Sequence, residues 1–156
     1  MFADGNNTPA QRGRKMPLKL SLKPHEKFVL NGAVLMNGDR RASLVIENKA
    51  SILREKDIMQ SDEVDTPIKR IYFPIMMMYL DADASQTYYE EFVLRMTEFM
   101  SAVSNREALS LCVEISRDVV QSQFYRALMK CRKLFDFEQL RLNYVSAGLS
   151  ESAAPG

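Results

Sequence analysis

Eight cations punctuate the stretch from Met16 to Ile58: Lys19, Lys23, Lys27, Arg40, Arg41, Lys49, Arg54 and Lys56. Most fall at turns or strand ends, where ammonium and guanidinium groups meet phosphate oxygens and draw a single-stranded nucleic acid onto a sheet. The same pattern arises when charged side chains guard short edge strands against sheet-to-sheet association. Charge is segregated along the chain: residues 1–60 hold 11 Lys and Arg against 6 Asp and Glu, and the remainder 10 against 14. A positive half fits a polyanionic partner, and it fits equally a solvated surface without one. Phe28 is the one aromatic residue in the stretch, so the stacking rings with which some RNA-binding sheets hold bases are missing.

Groups that could do covalent chemistry do not converge. His25 is the only histidine, set between Pro24 and Glu26 in an expected surface turn, with no second ligand-type residue near it in sequence. Gly32 and Gly38 stand singly in Asn-Gly turns, unlike a phosphate-cradling glycine loop. The acidic pairs Glu90-Glu91 and Asp81/Asp83 fit a helix surface and helix capping better than acid–base work. Cys112 and Cys131 form neither a disulfide framework nor a metal cluster, and read as buried, reduced thiols of a cytoplasmic protein. The chain is thus expected to be no enzyme and to need no metal or cofactor. The N-terminus has no apolar run and Ile75–Leu80 is too short to span a bilayer, so no membrane segment is expected.

These cations must be positioned by short strands. Leu18, Leu20 and Leu22 alternate with Lys19, Ser21 and Lys23, the period-two pattern of a half-buried strand. Phe28–Leu30, Ala33–Met36, Ala42–Ile46 and Ala50–Leu53 follow, separated by Asn31-Gly32, Asn37-Gly38-Asp39 and Asn48-Lys49. Asn-Gly accepts positive φ at both central positions of a tight hairpin turn. Helices come next. Thr66 or Asp65 caps a helix from Pro67 to Leu80, which Pro74 kinks or restarts. Tyr88, Phe92, Met96, Phe99 and Val103 form one stripe, and Leu111, Ile115, Val119, Phe124, Leu128, Cys131 and Phe135 another, with a bend near Gln121. Ser104 and Glu107 have the spacing of a capping box.

The expected fold class is α+β, a small antiparallel sheet of short strands followed by a helical hairpin or bundle. Its parts are a disordered tail over 1–15, a β-rich segment over 16–60, a helical segment over 66–145 and a second tail over 148–156. Translation starting at Met16 would remove the first tail. Met76, Met77 and Tyr79 lie in a run apolar on every face, which points to burial or to a partner protein. Short edge strands also invite a homodimer by strand addition or exchange.

Longer strings resemble a known family. The segments Met-Pro-Leu-Lys-Leu-Ser-Leu-Lys-Pro-His-Glu-Lys-Phe-Val-Leu-Asn-Gly-Ala-Val-Leu at 16–35 and Arg-Ala-Ser-Leu-Val-Ile-Glu-Asn-Lys-Ala-Ser-Ile-Leu-Arg-Glu-Lys-Asp-Ile-Met at 41–59 resemble the bacterial flagellar regulator FlbT. Thr-Pro-Ile-Lys-Arg-Ile-Tyr-Phe at 66–73 and Met-Met-Tyr-Leu at 77–80 continue the likeness, which spans about residues 16–140. The resemblance implies a cytoplasmic post-transcriptional regulator that binds the 5′ untranslated leader of flagellin mRNA and promotes its decay, usually as a repressor and in some members as an activator. It also allows a second flagellar regulatory protein as partner. Leu-Arg-Glu-Lys-Asp-Ile at 53–58 is similar to a strand-end motif of the carbon storage regulator family, which binds mRNA leaders too. That likeness implies RNA contacts at Arg54, Lys23 and Leu20, although the spacing between them differs and this chain adds helices. Arg40, Arg41 and Lys49 complete the expected RNA-binding set as phosphate contacts. The rival reading is a protein-binding adaptor or chaperone whose helices bind flagellin or a companion regulator, with only indirect effects on mRNA.

Overall fold

A computed structural model describes residues 17–152 of the chain, with side chains described through Glu138. The expected tail over 1–15 lies outside the described residues; that over 148–156 overlaps the last turns of a helix assigned to Ser152, and 153–156 lie outside. The architecture is α+β; the described residues form five short antiparallel strands followed by four α-helices, and the chain divides into two compact units at Ile58/Met59.

In the first unit the strands are β1 (Leu18–Leu22), β2 (Lys27–Leu30), β3 (Ala33–Met36), β4 (Ala42–Ile46) and β5 (Ile52–Arg54). They do not form the single sheet that sequence patterning predicts. β1 pairs with β4 as a two-stranded ribbon, and β3, β2 and β5 make a three-stranded sheet in that order. Asn31 and Gly32 join β2 to β3 with φ of 50° and 84°, both positive as a two-residue hairpin turn of the right twist demands. Asn37-Gly38 instead leads from one sheet into the other. Inward residues alternate as the pattern requires on β1, where Leu20 and Leu22 are buried and Lys19 and Ser21 are exposed. Both faces of β2 are covered at Phe28 and Val29, so that strand shows no alternation.

The second unit contains α1 (Pro67–Leu80), α2 (Ser85–Ala102), α3 (Arg106–Val120) and α4 (Phe124–Ser152). α1 packs against α2 and also against α4, and α4 packs in turn on α3. Flanked by two neighbours, α1 buries Ile68, Ile71, Tyr72, Ile75, Met76 and Met78 around most of its circumference, which accounts for its apolar run. The helix continues through Pro74 without a restart. At its start Thr66 Oγ1 accepts from the Lys69 N–H at 3.3 Å. Glu138 of α4 reaches the same end, accepting from Thr66 Oγ1 at 2.7 Å and from the Ile68 N–H at 3.0 Å. A carboxylate placed on unpaired N–H groups at the positive end of the helix dipole stabilises it.

Two expectations about the later helices change. Asn105, not Ser104, caps α3, its side chain accepting from the Ala108 N–H at 2.9 Å. The expected bend near Gln121 is a full break. Ser122 takes a left-handed φ of 58°, its N–H donates to the Val119 carbonyl at 3.0 Å, and the Gln123 N–H donates to Asp118 at 2.7 Å. This is a Schellman stop with serine where glycine is usual. Across the break, Lys130 Nζ approaches Asp118 Oδ2 to 2.8 Å as an ion contact without the alignment of a hydrogen bond, fastening α4 to α3. Cys112 and Cys131 are free thiols, both buried, and burial raises both pKa values, that of Cys112 to about 11. No helix among the described residues is long and apolar enough to cross a membrane.

Candidate nucleic-acid interface

The register of the β1–β4 ribbon decides which cations share a face. Lys19 opposes Val45 and Ser21 opposes Ser43, while Leu20 opposes Leu44 and Leu22 opposes Ala42 on the other side. Opposed residues of an antiparallel pair point the same way. The outer face of the ribbon is therefore Lys19, Ser21, Ser43 and Val45, all exposed. One residue beyond the paired region, Lys23 and Arg41 follow the same alternation and are exposed as well. Along β1 the step from Lys19 to Lys23 is about 13 Å at the usual rise of a strand.

Asn37 draws the far end of this row together. Its side-chain N–H₂ donates to the carbonyl of Lys23 at 2.8 Å and to that of Arg40 at 2.9 Å, with a longer approach of 3.4 Å to Leu22. The two good bonds use both amide hydrogens, and they tie the end of β1 to the loop that enters β4. Lys23, Arg40 and Arg41 thus share one corner, and all three are exposed. Lys49 lies elsewhere, beyond the opposite end of β4, where Ile46 pairs with Leu18.

Beneath that corner sits a clamp built from Arg54 and Glu26. Arg54 Nε and Nη2 both donate to Glu26 Oε2, at 3.2 and 2.9 Å, and Nη2 also donates to the Ser21 carbonyl. Glu26 is held further by the Lys23 N–H, which donates to Oε1 at 2.9 Å. These bonds hold the Glu26 carboxyl below the ordinary glutamate range, the Lys23 N–H contributing most and the Arg54 guanidinium next. The neighbouring Glu55 accepts from the Lys27 N–H at 2.6 Å. Arg54 and Glu55 thereby hold both sides of the turn 23–26, in which Pro24 precedes His25 at φ 61° and the Glu26 N–H donates back to Lys23 at 3.1 Å.

Arg54, expected as an RNA contact, is thus already occupied inside the fold, with its side chain 31% exposed and that of Glu26 13%. Leu20, expected to meet RNA, is buried on the inner face of the ribbon. In the second unit, Met76 is buried at 2% exposure, and its sulfur accepts from the Met59 N–H at 3.3 Å. Met77 and Tyr79 are half-buried, and the Tyr79 ring lies 5.8 Å from that of Tyr125. Asn37 and Glu26 are the residues that sequence reading passes over. The only local signal for Asn37 is the Asn-Gly pair, which reads as a turn, and Glu26 finds its partner 28 positions away.

Among the described residues no group of three or more His, Cys, Asp or Glu is placed to hold a metal ion. Residues 18–142 match the family described as "Flagellar protein FlbT". The chain belongs to the FlbT family. A "Flagellum biosynthesis repressor protein FlbT" of Caulobacter vibrioides is 57% identical over 141 residues, covering 90% of this chain and 100% of that relative. A "Probable flagellum biosynthesis repressor protein FlbT" of Caulobacter sp. is 61% identical over 131 residues, 84% of this chain and 100% of the relative. One from Rhodopseudomonas palustris is 37% identical over 126 residues, 80% of this chain and 96% of the relative. No solved structure matches.

Proposed function

We propose that this FlbT-family protein is a non-catalytic, cytoplasmic repressor of flagellum biosynthesis acting after transcription. Its first unit binds the 5′ untranslated leader of flagellin mRNA in single-stranded form, and binding promotes decay of the message. The observation that carries the reading is the row of Lys19, Lys23 and Arg41 on the outer ribbon face, joined at its end by Arg40 through Asn37. Three cations on one face and Arg40 in the loop at its end, with two serine hydroxyls between them, offer a track for phosphates and sugar hydroxyls. With no aromatic platform among the described residues of this unit, backbone contact supplies most of the affinity and sequence preference comes from loop shape. Arg54 then acts as a positioning residue, holding the turn that carries Lys23.

The helical unit serves in this reading as the surface for a second flagellar regulatory protein or for decay factors, met through the exposed parts of Met77 and Tyr79. A gel shift with flagellin leader RNA compares wild type with the double variant Arg40→Glu/Arg41→Glu. Retarded RNA with wild type alone supports direct binding. Binding by neither favours the adaptor reading, which a companion-protein pull-down lost on Met77→Asp would then establish, and equal binding by both would put the RNA contact away from Arg40 and Arg41.

A further inference from the structure

A different surface lies at the edge of the three-stranded sheet. All four residues of β3, Ala33-Val34-Leu35-Met36, are exposed and none is charged or proline. Val34 is 71% and Met36 62% exposed. By contrast β1 carries Lys19 and β5 ends in Arg54. An unguarded apolar edge is a template for another strand. The ladder to β2 settles which backbone groups it offers. A two-residue hairpin turn makes its flanking residues, Leu30 and Ala33, a hydrogen-bonded pair, and such pairs recur at every second residue. The Asn37 N–H donating to Glu26 at 2.9 Å continues that alternation. Odd-numbered residues of β3 therefore bond towards β2, and the N–H and C=O groups of Val34 and Met36 point away from it.

We propose that β3 pairs antiparallel with β3 of a second copy of this chain, across a two-fold axis centred on Leu35. Such an axis stands perpendicular to the sheet and keeps each side chain on its own face, so only residues of like parity can oppose one another. Centred on Leu35, Val34 of each copy meets Met36 of the other, and every outward N–H and C=O of the strand gains a partner. The two most exposed apolar side chains of the edge cover each other, and no charge within the strands is opposed. Two sheets of three short strands become one of six, a common size, in the order β5-β2-β3-β3-β2-β5. An interface of four residues a side belongs to the small, weak class, so association is concentration-dependent.

Sedimentation equilibrium of the full chain, from low to high micromolar concentration, tests this. Wild type is expected to rise from 17.9 kDa towards twice that mass. Val34→Pro removes an outward N–H without touching the β2 ladder, a place where an edge strand tolerates proline, and should weaken association at least about tenfold. Met36→Lys, which leaves the backbone intact, should do the same and decides the matter if circular dichroism shows the proline variant misfolded. A wild-type chain that stays monomeric throughout overturns the proposal, including one that instead captures another protein through β3. So does a dimer that Met36→Lys leaves unchanged.

Discussion

Replacing Asn37 by alanine separates the charged corner from its anchor without removing a cation. The substitution deletes the two amide hydrogen bonds to Lys23 and Arg40, of 2.8 and 2.9 Å. Both are near the surface, so the freed carbonyls recover water, and the loss should be about 1 kcal/mol in the local opening free energy. Hydrogen exchange of peptides covering β1 and the loop before β4 would read this as roughly fivefold faster exchange. The effect on binding is bounded by the same free energy, about fivefold. Each phosphate contact on a single strand contributes a salt slope of about 0.7, equivalent to about fivefold in affinity near 0.1 M salt. Loosening the loop takes Arg40 off the row while the β1–β4 ladder keeps Lys23 and Arg41 in place, and the slope should fall from about −3 towards about −2. Salt-dependent fluorescence anisotropy with leader RNA is the assay. Faster exchange with an unchanged slope would refute the claim that Asn37 gathers a binding surface, and would leave it a structural tie alone.

Other outcomes follow from the same geometry. Glu26 titrates below the ordinary glutamate value of about 4.3, so the unfolded chain binds the proton first as pH falls. The stability of the clamp is therefore fully present above that value and is lost as pH drops through the folded one; acid melts of Glu26→Gln should lack this component, and an unchanged acid limb would disprove it. Glu138→Ala removes the carboxylate from the α1 N-terminus and should cost about 1–2 kcal/mol by chemical denaturation followed through tyrosine emission. Glu138→Gln should recover part of that, and a loss below about 0.5 kcal/mol in the alanine variant would contradict the capping role. Cys112 and Cys131, buried and with raised pKa values, should resist a thiol reagent at neutral pH until denaturant is added. Prompt labelling of the native protein would show that α3 and α4 open more readily than their packing implies.

What could be read from the residues in advance was whatever depends on neighbours in the chain. The alternation of Leu18 to Leu22, the Asn31-Gly32 turn and the stripe from Tyr88 to Val103 all became the elements their periods imply. The misses are long-range. Nothing local says that β1 skips β2 and β3 to pair with β4, which is why one expected sheet became two. The break at Ser122 carries no glycine or proline to announce it, because a Schellman stop needs only one residue that tolerates left-handed φ. The all-apolar face of α1 admitted a partner protein or burial, and packing between α2 and α4 accounts for most of it. At the candidate site, cation identities were legible and their grouping was not. Lys23 and Arg41 meet through the β1–β4 register, Asn37 reaches 14 positions back to tie the Arg40 loop to Lys23, and Arg54 is held by an acid 28 positions earlier.

Direct contact between the outer ribbon face and messenger RNA is tested most squarely by equilibrium binding of flagellin leader RNA over a range of salt, for wild type and for Arg40→Ala/Arg41→Ala. A log–log slope of about −3 is expected for wild type and about −1.5 for the double variant, with about 25-fold weaker binding near 0.1 M salt. Superimposable salt curves for the two proteins, or no binding by wild type at any salt, would contradict it.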